Sequence, residues 1–301
     1  DVVIIDEAQR VPGIGLSLKL LVDAQTPVKI IVTGSSSFEL SGQVGEPLTG
    51  RKISLRLFPI SQSELRQSMS TFELKENLVA YLRFGSYPEV LTAGSEARRI
   101  AILQEILGSY LLKDILELER VKSSKVLLDL LRLIAFQVGS EVSHRELATS
   151  LGIDAKTVAR YLDLFEKAFV LFNVRGYSRN LRKEISKKSK YYFYDNGVRN
   201  AVISNFNRID ERDDIGILWE NFLFVERMKR TEYKRTPGNI FFWRTWDGQE
   251  VDHVEEREGK LFGYEFKWTP KLLAPPRDWI VTYSNAEYQV IDRDNYFDFV
   301  L

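Results

Sequence analysis

Two runs rich in β-branched residues, Val2-Val3-Ile4-Ile5 and Val28-Lys29-Ile30-Ile31-Val32, lie one helix-length apart and leave the start of the chain few possible arrangements. Both read as buried strands of a parallel sheet. Between them Leu16, Leu18, Leu20, Leu21 and Val22 fit a helix returning across the sheet, and Pro27 breaks the chain before the second run. Such a crossover sets the two strand tips side by side. The first tip carries Asp6-Glu7-Ala8-Gln9 and the second Thr33-Gly34-Ser35-Ser36-Ser37, so the hydroxyls of Thr33 and Ser35 are expected beside Asp6 and Glu7. Paired carboxylates at the C-terminal end of a parallel strand suit a Mg²⁺-nucleotide site, one to hold the metal and one to orient the attacking water. They equally suit a strand followed by an acidic helix start, with the hydroxyls as a polar loop and cap. A third apolar strand is expected from Ile53 to Phe58.

Composition narrows the chemistry. The 301 residues predict two or three domains, and 42 Lys plus Arg balance 42 Asp plus Glu, so any nucleic-acid surface must be a local patch. With no cysteine and only His144 and His253, thiolate chemistry and histidine-rich metal sites are excluded, which leaves carboxylates as metal ligands. No apolar run reaches the roughly 20 residues of a membrane-spanning helix, so a soluble, cytoplasmic protein with no membrane partner is expected. The sequence opens without methionine, directly before a core strand, and an upstream part is expected. No G-x-x-x-x-G-K-[ST] phosphate loop occurs; Gly45 to Lys52 has the glycine spacing but ends in Arg51-Lys52.

In this order, Asp6-Glu7-Ala8-Gln9, Thr33-Gly34-Ser35-Ser36, Leu48-Thr49-Gly50-Arg51 and Pro59-Ile60-Ser61 resemble the second half of the core of AAA+ ATPases. They are closest to prokaryotic members in which a separate domain of uncertain function follows. The resemblance implies that Asp6 holds Mg²⁺, Glu7 is the catalytic base, Ser35 contacts the γ-phosphate of ATP, and Arg51 is an arginine finger or sensor. Arg51 also reads as a surface or helix-capping arginine. Without a phosphate loop, the sequence as given is expected to bind nucleotide poorly.

Residues 72–122 have helical periodicity, including an amphipathic stretch from Ala97 to Leu118, and Tyr81 to Val90 is similar to a "YL-x-x-GG-[FY]-PE" segment of the same family with Ser86 in place of a glycine. A helix-turn-helix pattern follows. Helices are expected over Val126 to Phe136, over His144 to Leu151 behind a Ser143/Glu146 capping box, and from an Asp154 cap to Phe165, presenting Lys156, Thr157 and Arg160 outward. Residues 175–190 read as a wing carrying Arg175, Arg179, Arg182, Lys183, Lys187, Lys188 and Lys190 against the single acid Glu184. Phosphate contact with DNA, a solvated loop and a protein-binding winged helix all fit this charge run.

Beyond it, Ile215 to Met228 is an amphipathic helix holding Glu220, and strands are expected at Ile240 to Arg244, Glu250 to Glu256 and Leu261 to Trp268, with a parallel fourth at Tyr288 to Ile291. A two-residue turn at Glu258-Gly259 pairs Asp252 with Glu265 and Glu250 with Lys267, and alternation puts Asp252, Glu265 and Lys267 on one face. This constellation resembles the PD-(D/E)XK nuclease fold. The resemblance implies that Asp252 and Glu265 bind Mg²⁺ or Mn²⁺, Lys267 assists the attacking water, and Glu220 is an auxiliary acid. A cross-strand Glu-Lys pair on an ordinary sheet surface is the plain alternative.

The expected architecture is a multidomain α/β and α+β chain. It comprises a partial AAA+ parallel-sheet core (1–70), a helical lid (71–122), a winged helix (123–194) and a restriction-endonuclease-like domain (195–301). The leading functional expectation is an ATPase coupling nucleotide state to DNA or a protein partner, with homo-oligomers compatible. A Mg²⁺-dependent DNA nuclease and a non-enzymatic DNA-binding or adaptor protein are the alternatives.

Overall fold

The computed structural model describes residues 1–24, 27–34, 50–108, 115, 123–178 and 189–301. At its start β1 (Val2–Ile5) and β2 (Lys29–Val32) pair in parallel with Ile5 opposite Val32, joined through α1 (Ile14–Asp23). Ala8, Ile14 and Leu18 form a small core against Ile5, Ile30 and Val32. The expected full burial of the first strand is not seen: Ile4 is 67% exposed and Val2 and Val3 are open, because α1 covers only one face of the pair. Nor is Ile53 to Phe58 a strand. It runs extended with no ladder partner among the described residues, and Leu57 is 95% exposed. Phe58 is anchored between the rings of Tyr194 and Tyr233, and Arg56 donates to the Tyr194 hydroxyl at 3.4 Å.

Short helices follow: α2 (Gln62–Leu65), α3 (Thr71–Glu76), α4 (Leu78–Phe84), α5 (Pro88–Thr92) and α6 (Glu96–Glu105). Their spacing is set by local chemistry. Ser61 with Glu64, and Ser70 with Glu73, form reciprocal capping boxes, and Pro88 opens α5 where its missing N–H costs nothing. Of the expected helix from Ala97 to Leu118, the described part is α6, residues 106–108 that continue it as a π-helical turn, and buried, helical Ile115.

The helix-turn-helix segment forms as α7 (Ser124–Phe136), β3 (Glu141–Val142), α8 (His144–Leu151) and α9 (Ala155–Lys167). Ser143 and Asp154 cap α8 and α9, and Gly152 ends α8 in the left-handed conformation. Then come β4 (Leu171–Gly176), β5 (Ser189–Phe193), α10 (Asn196–Val202), α11 (Ile215–Tyr233), β6 (Asn239–Arg244), β7 (Glu250–Arg257), β8 (Lys260–Phe266), α12 (Arg277–Thr282), β9 (Glu287–Ile291) and α13 (Tyr296–Val300).

One sheet joins what the sequence divides at residue 194. Its order is β3-β5-β4-β6-β7-β8-β9, with β4 beside β6 in parallel through Arg175 opposite Phe241. β9 adds in parallel to β8 as expected. A single core cluster extends over the same span and includes Leu131, Phe165, Tyr192, Trp219 and Phe299. Burying each such large side chain contributes roughly 1.5–3 kcal/mol. At its centre α11 is buried on most of its circumference, polar Asn221, Glu226, Arg227 and Lys229 included. Among the described residues no helix is long and apolar enough to cross a membrane.

Candidate active sites

The two N-terminal strand tips meet as the crossover predicts. Backbone bonds continue the ladder past both strands, Thr33 N to Ile5 O at 2.9 Å and Ala8 N to Thr33 O at 3.0 Å. Thr33 is thereby held opposite Asp6, and its hydroxyl donates to the Asp6 carboxylate. Glu7 takes a left-handed backbone (φ 50°, ψ 42°), a conformation costing a non-glycine residue about 1–2 kcal/mol. Its carboxylate lies 3.4 Å from the Arg10 guanidinium. Exposed Asp6 and the Thr33 hydroxyl are hard oxygen donors of the kind Mg²⁺ takes, so the tip fits a metal held partly through water. Arg51 pairs with Asp23 at the end of α1. Ser35 lies outside the described residues.

The second cluster is built on the β7–β8 hairpin. Glu258 and Gly259, with φ of 51° and 74°, make the left-handed two-residue turn, and the pairs run from Arg257 with Lys260 to His253 with Tyr264, in the expected register. At the next position the ladder ends, because the Asp252 carboxylate accepts the Phe266 N–H at 2.8 Å. Glu265 follows on β8, and Lys267 donates to its Oε1 at 2.7 Å. The expected Glu250–Lys267 pair does not form. Lys267 lies beyond the end of β8, and Glu250 is taken by Lys190.

Lys190 is the main surprise. Its place in a cationic run predicts a solvent-facing wing, yet it is 1% exposed, with its ammonium over the Phe242 ring. Burial would lower its pKa, but Glu220, Glu250 and Asp252 together hold it above the ordinary lysine value. Glu220 enters from α11 and accepts the Tyr192 hydroxyl at 2.7 Å. Burial, then the charge of Asp252, pushes Glu220 up to about 8. Burial also raises Asp252 and Glu265. Gly139 closes the cluster, since a Cβ there would stand 2.7 Å from the Glu220 carboxylate.

Four carboxyl groups thus face two ammonium groups in one place, an excess of acid in keeping with the raised Glu220, Asp252 and Glu265. This donor set does not fit a divalent ion as arranged. Among the described residues no three His, Cys, Asp or Glu side chains are disposed around a common metal position, and the Lys190 ammonium takes up the charge of its acidic neighbours. One acceptor is left over: Glu265 Oε2 is buried without a hydrogen-bond partner.

Of the expected nucleic-acid contacts, Lys156 and Arg160 are exposed on α9. Arg179, Arg182, Lys183, Lys187 and Lys188 lie outside the described residues.

Sequence reasoning missed a third constellation. The Asp195 carboxylate caps α10 at Val198 N (3.1 Å) and also accepts Ser86 N at 2.8 Å, with Gly85 at φ 71° passing against it. Burial raises Asp195 to about 6. Beside it Lys229 donates to Glu226 at 2.8 Å, and Glu226 accepts Gln62 N at 2.6 Å. These bonds fasten α11 to the segment that leaves the N-terminal region. Glu226 lies six positions after Glu220, about 9 Å along the helix.

Comparison with known families gives three matches. Residues 1–66 match an AAA domain. Residues 75–209 match a domain of unknown function, DUF8612, and residues 215–279 another, DUF4143. An AAA-type ATPase relationship thus rests on the segment carrying Asp6, Glu7 and Thr33. Similar curated proteins are an uncharacterized protein of Mycobacterium tuberculosis, 26% identical over 95% of this chain and 64% of its own length, and one of Haemophilus influenzae, 28% identical over 86% and 63%. A third, from Methanocaldococcus jannaschii, is 27% identical over 88% and 62%. The chain thus spans a little under two thirds of these relatives. No solved structure matches it.

Proposed function

We propose that this chain is part of an AAA+ ATPase in which Asp6 and Glu7 form half of the nucleotide site. The observation carrying this reading is the Asp6–Thr33 hydrogen bond across parallel strand tips, within the segment matching an AAA domain. Bound Mg²⁺ would neutralise phosphate charge. Asp6 would hold the ion, Glu7 would orient and deprotonate the attacking water, and Ser35 would contact the γ-phosphate. Arg51 would exchange Asp23 for phosphate. The test is ATP hydrolysis by a polypeptide extended upstream to include a phosphate loop. Glu7→Gln should abolish turnover and spare nucleotide binding; retained hydrolysis would remove Glu7 as the base.

In this reading the C-terminal sheet transmits nucleotide state to DNA or a protein through a winged helix formed by α7, α8, α9, β4 and β5, with Lys156 and Arg160 facing the partner. The contacts of Glu226 and Lys229 with residues 60–62, on the same helix as Glu220, support such coupling. Salt-dependent DNA binding that is lost when Lys156 and Arg160 become Gln would favour DNA as the partner. Binding that is insensitive to both substitutions would argue against this face.

A second reading, a Mg²⁺- or Mn²⁺-dependent DNA nuclease, is favoured by the convergence of Glu220, Asp252, Glu265 and Lys267 and by the unpartnered Glu265 oxygen. Incubation with DNA and either metal, beside Asp252→Ala and Lys267→Ala, tests it. Cleavage by the parent that both substitutions abolish would support this reading; no cleavage, or cleavage surviving in both variants, would count against it.

A further inference from the structure

A cleft of about 90 Å³ opens where the C-terminal end of α11 meets the start of β6 and the end of β7. That is several times the roughly 10–15 Å³ needed to admit one water. Four cations line it, Arg227, Arg230, Lys234 and Arg257, against the single carboxylate of Glu255. Glu255 is already committed, since Arg227 grips it through Nε at 2.5 Å and Nη2 at 2.9 Å.

Of the other three cations, Arg257 shares the Glu255 carboxylate with Arg227, and Arg230 has neutral partners. Arg230 donates to the carbonyls of Phe299 (2.9 Å) and Asp298 (3.2 Å), and Lys234 to the backbone oxygen of Leu301 (2.6 Å). Arg257 donates to the Tyr264 hydroxyl at 3.3 Å, and its Nε lies 3.0 Å from Glu255 but is buried without a hydrogen-bond acceptor. Holding the carbonyls that end α13 explains where Arg230 and Lys234 point. For Arg230 it does not cancel the charge, because a peptide carbonyl supplies a dipole and no counter-ion. Burial lowers the pKa of both, and the neighbouring guanidinium groups lower it further. Gly238 shapes the wall, since a Cβ there would press on the Arg257 side chain at 3.0 Å, and Thr236 and Asn239 add polar groups at the mouth.

We propose that this cleft is an anion site for a phosphate group, held by Arg230, Lys234 and Arg257 over the Arg227–Glu255 pair. Guanidinium and ammonium donors around a small concavity match the charge and fork geometry of a phosphate oxyanion. The site is separate from the strand tip at Asp6 and from the Lys190 cluster, and it stands whether or not either has the activity proposed above. A free phosphomonoester and a nucleic-acid phosphodiester present the same group to it.

The test is isothermal titration of the whole chain at low salt with inorganic phosphate, a nucleoside monophosphate and a short single-stranded oligonucleotide. Saturable one-to-one phosphate binding is expected, weakened about tenfold or more by Arg230→Gln combined with Lys234→Gln. If the double variant is unfolded by circular dichroism, Lys234→Gln alone carries the test, because that side chain is exposed at the mouth. A monophosphate bound more tightly than the oligonucleotide identifies a small-molecule ligand. Oligonucleotide binding that is tighter, steeply salt-dependent and sensitive to Lys234→Gln identifies a nucleic-acid backbone. The absence of saturable phosphate binding, or equal affinity in the variants, overturns the proposal.

Discussion

Replacing Lys190 by Met keeps the volume and removes the charge, which isolates what the buried ammonium does. Lys190 pairs with Glu250 and faces Glu220 and Asp252 from a position 1% exposed. Removing one partner of a buried ion pair costs about 3–5 kcal/mol, because the other charge is left uncompensated. With a urea m-value near 3 kcal/mol/M, that loss moves the unfolding midpoint down by about 1–2 M. The loss must also depend on pH. Glu220, raised to about 8, and Asp252, raised by burial, already have folded pKa values above their unfolded ones. Such groups contribute stability at low pH that is lost as pH rises through the folded value. Without the ammonium both rise further, so Lys190→Met should be mildest near pH 5 and most severe near pH 9, above the folded value of Glu220. Urea unfolding followed by circular dichroism at both pH values measures this, with exposed Lys156→Met as the control expected within about 0.5 kcal/mol of the parent. A loss below about 1 kcal/mol, or one equal at the two pH values, would refute the compensation argument.

Gly85→Ala should be far more damaging than Gly152→Ala. Both glycines have positive φ, but a Cβ at 85 meets the buried Asp195 carboxylate whereas at 152 it meets open space. Strain of about 1–3 kcal/mol plus a disturbed buried hydrogen bond of similar size is expected at 85, against about 1 kcal/mol at 152; equal midpoints would contradict the packing described for Asp195. On acidification, burial would raise Glu255, but the hydrogen bonds from Arg227 and His253 hold it well below the ordinary carboxylate range. Its contribution is therefore complete above about pH 4.3 and lost as pH falls further, so Glu255→Gln should be less stable at neutral pH with a flatter acid limb. An unchanged acid limb in urea titrations between pH 2 and 5 would count against the pair.

The sequence was informative where a local rule also fixes tertiary position. The Glu258-Gly259 turn sets the register of β7 on β8, and alternation then brings Asp252, Glu265 and Lys267 together. The crossover rule likewise sets Thr33 beside Asp6. Lys190 was hidden because its neighbours in sequence are wing cations. The available signal was period two, which puts it on the same face as Tyr192, the residue that reaches Glu220. Asp195 and Ser86 are 109 positions apart, and no local pattern announces their bond. The opposite error occurs at Ile53 to Phe58, where apolar alternation reads as a strand although ladder pairing needs a neighbour that local sequence cannot specify. The join between β4 and β6 is equally non-local, so a boundary placed at residue 194 cuts through one sheet.

The ATPase reading turns on Glu7. Steady-state ATP hydrolysis, measured on a polypeptide extended upstream through a phosphate loop, tests it most directly. The account predicts turnover in the parent, none in Glu7→Gln and undiminished binding of a fluorescent ATP analogue in that variant; turnover surviving the substitution, or no nucleotide binding by the extended parent, would contradict it.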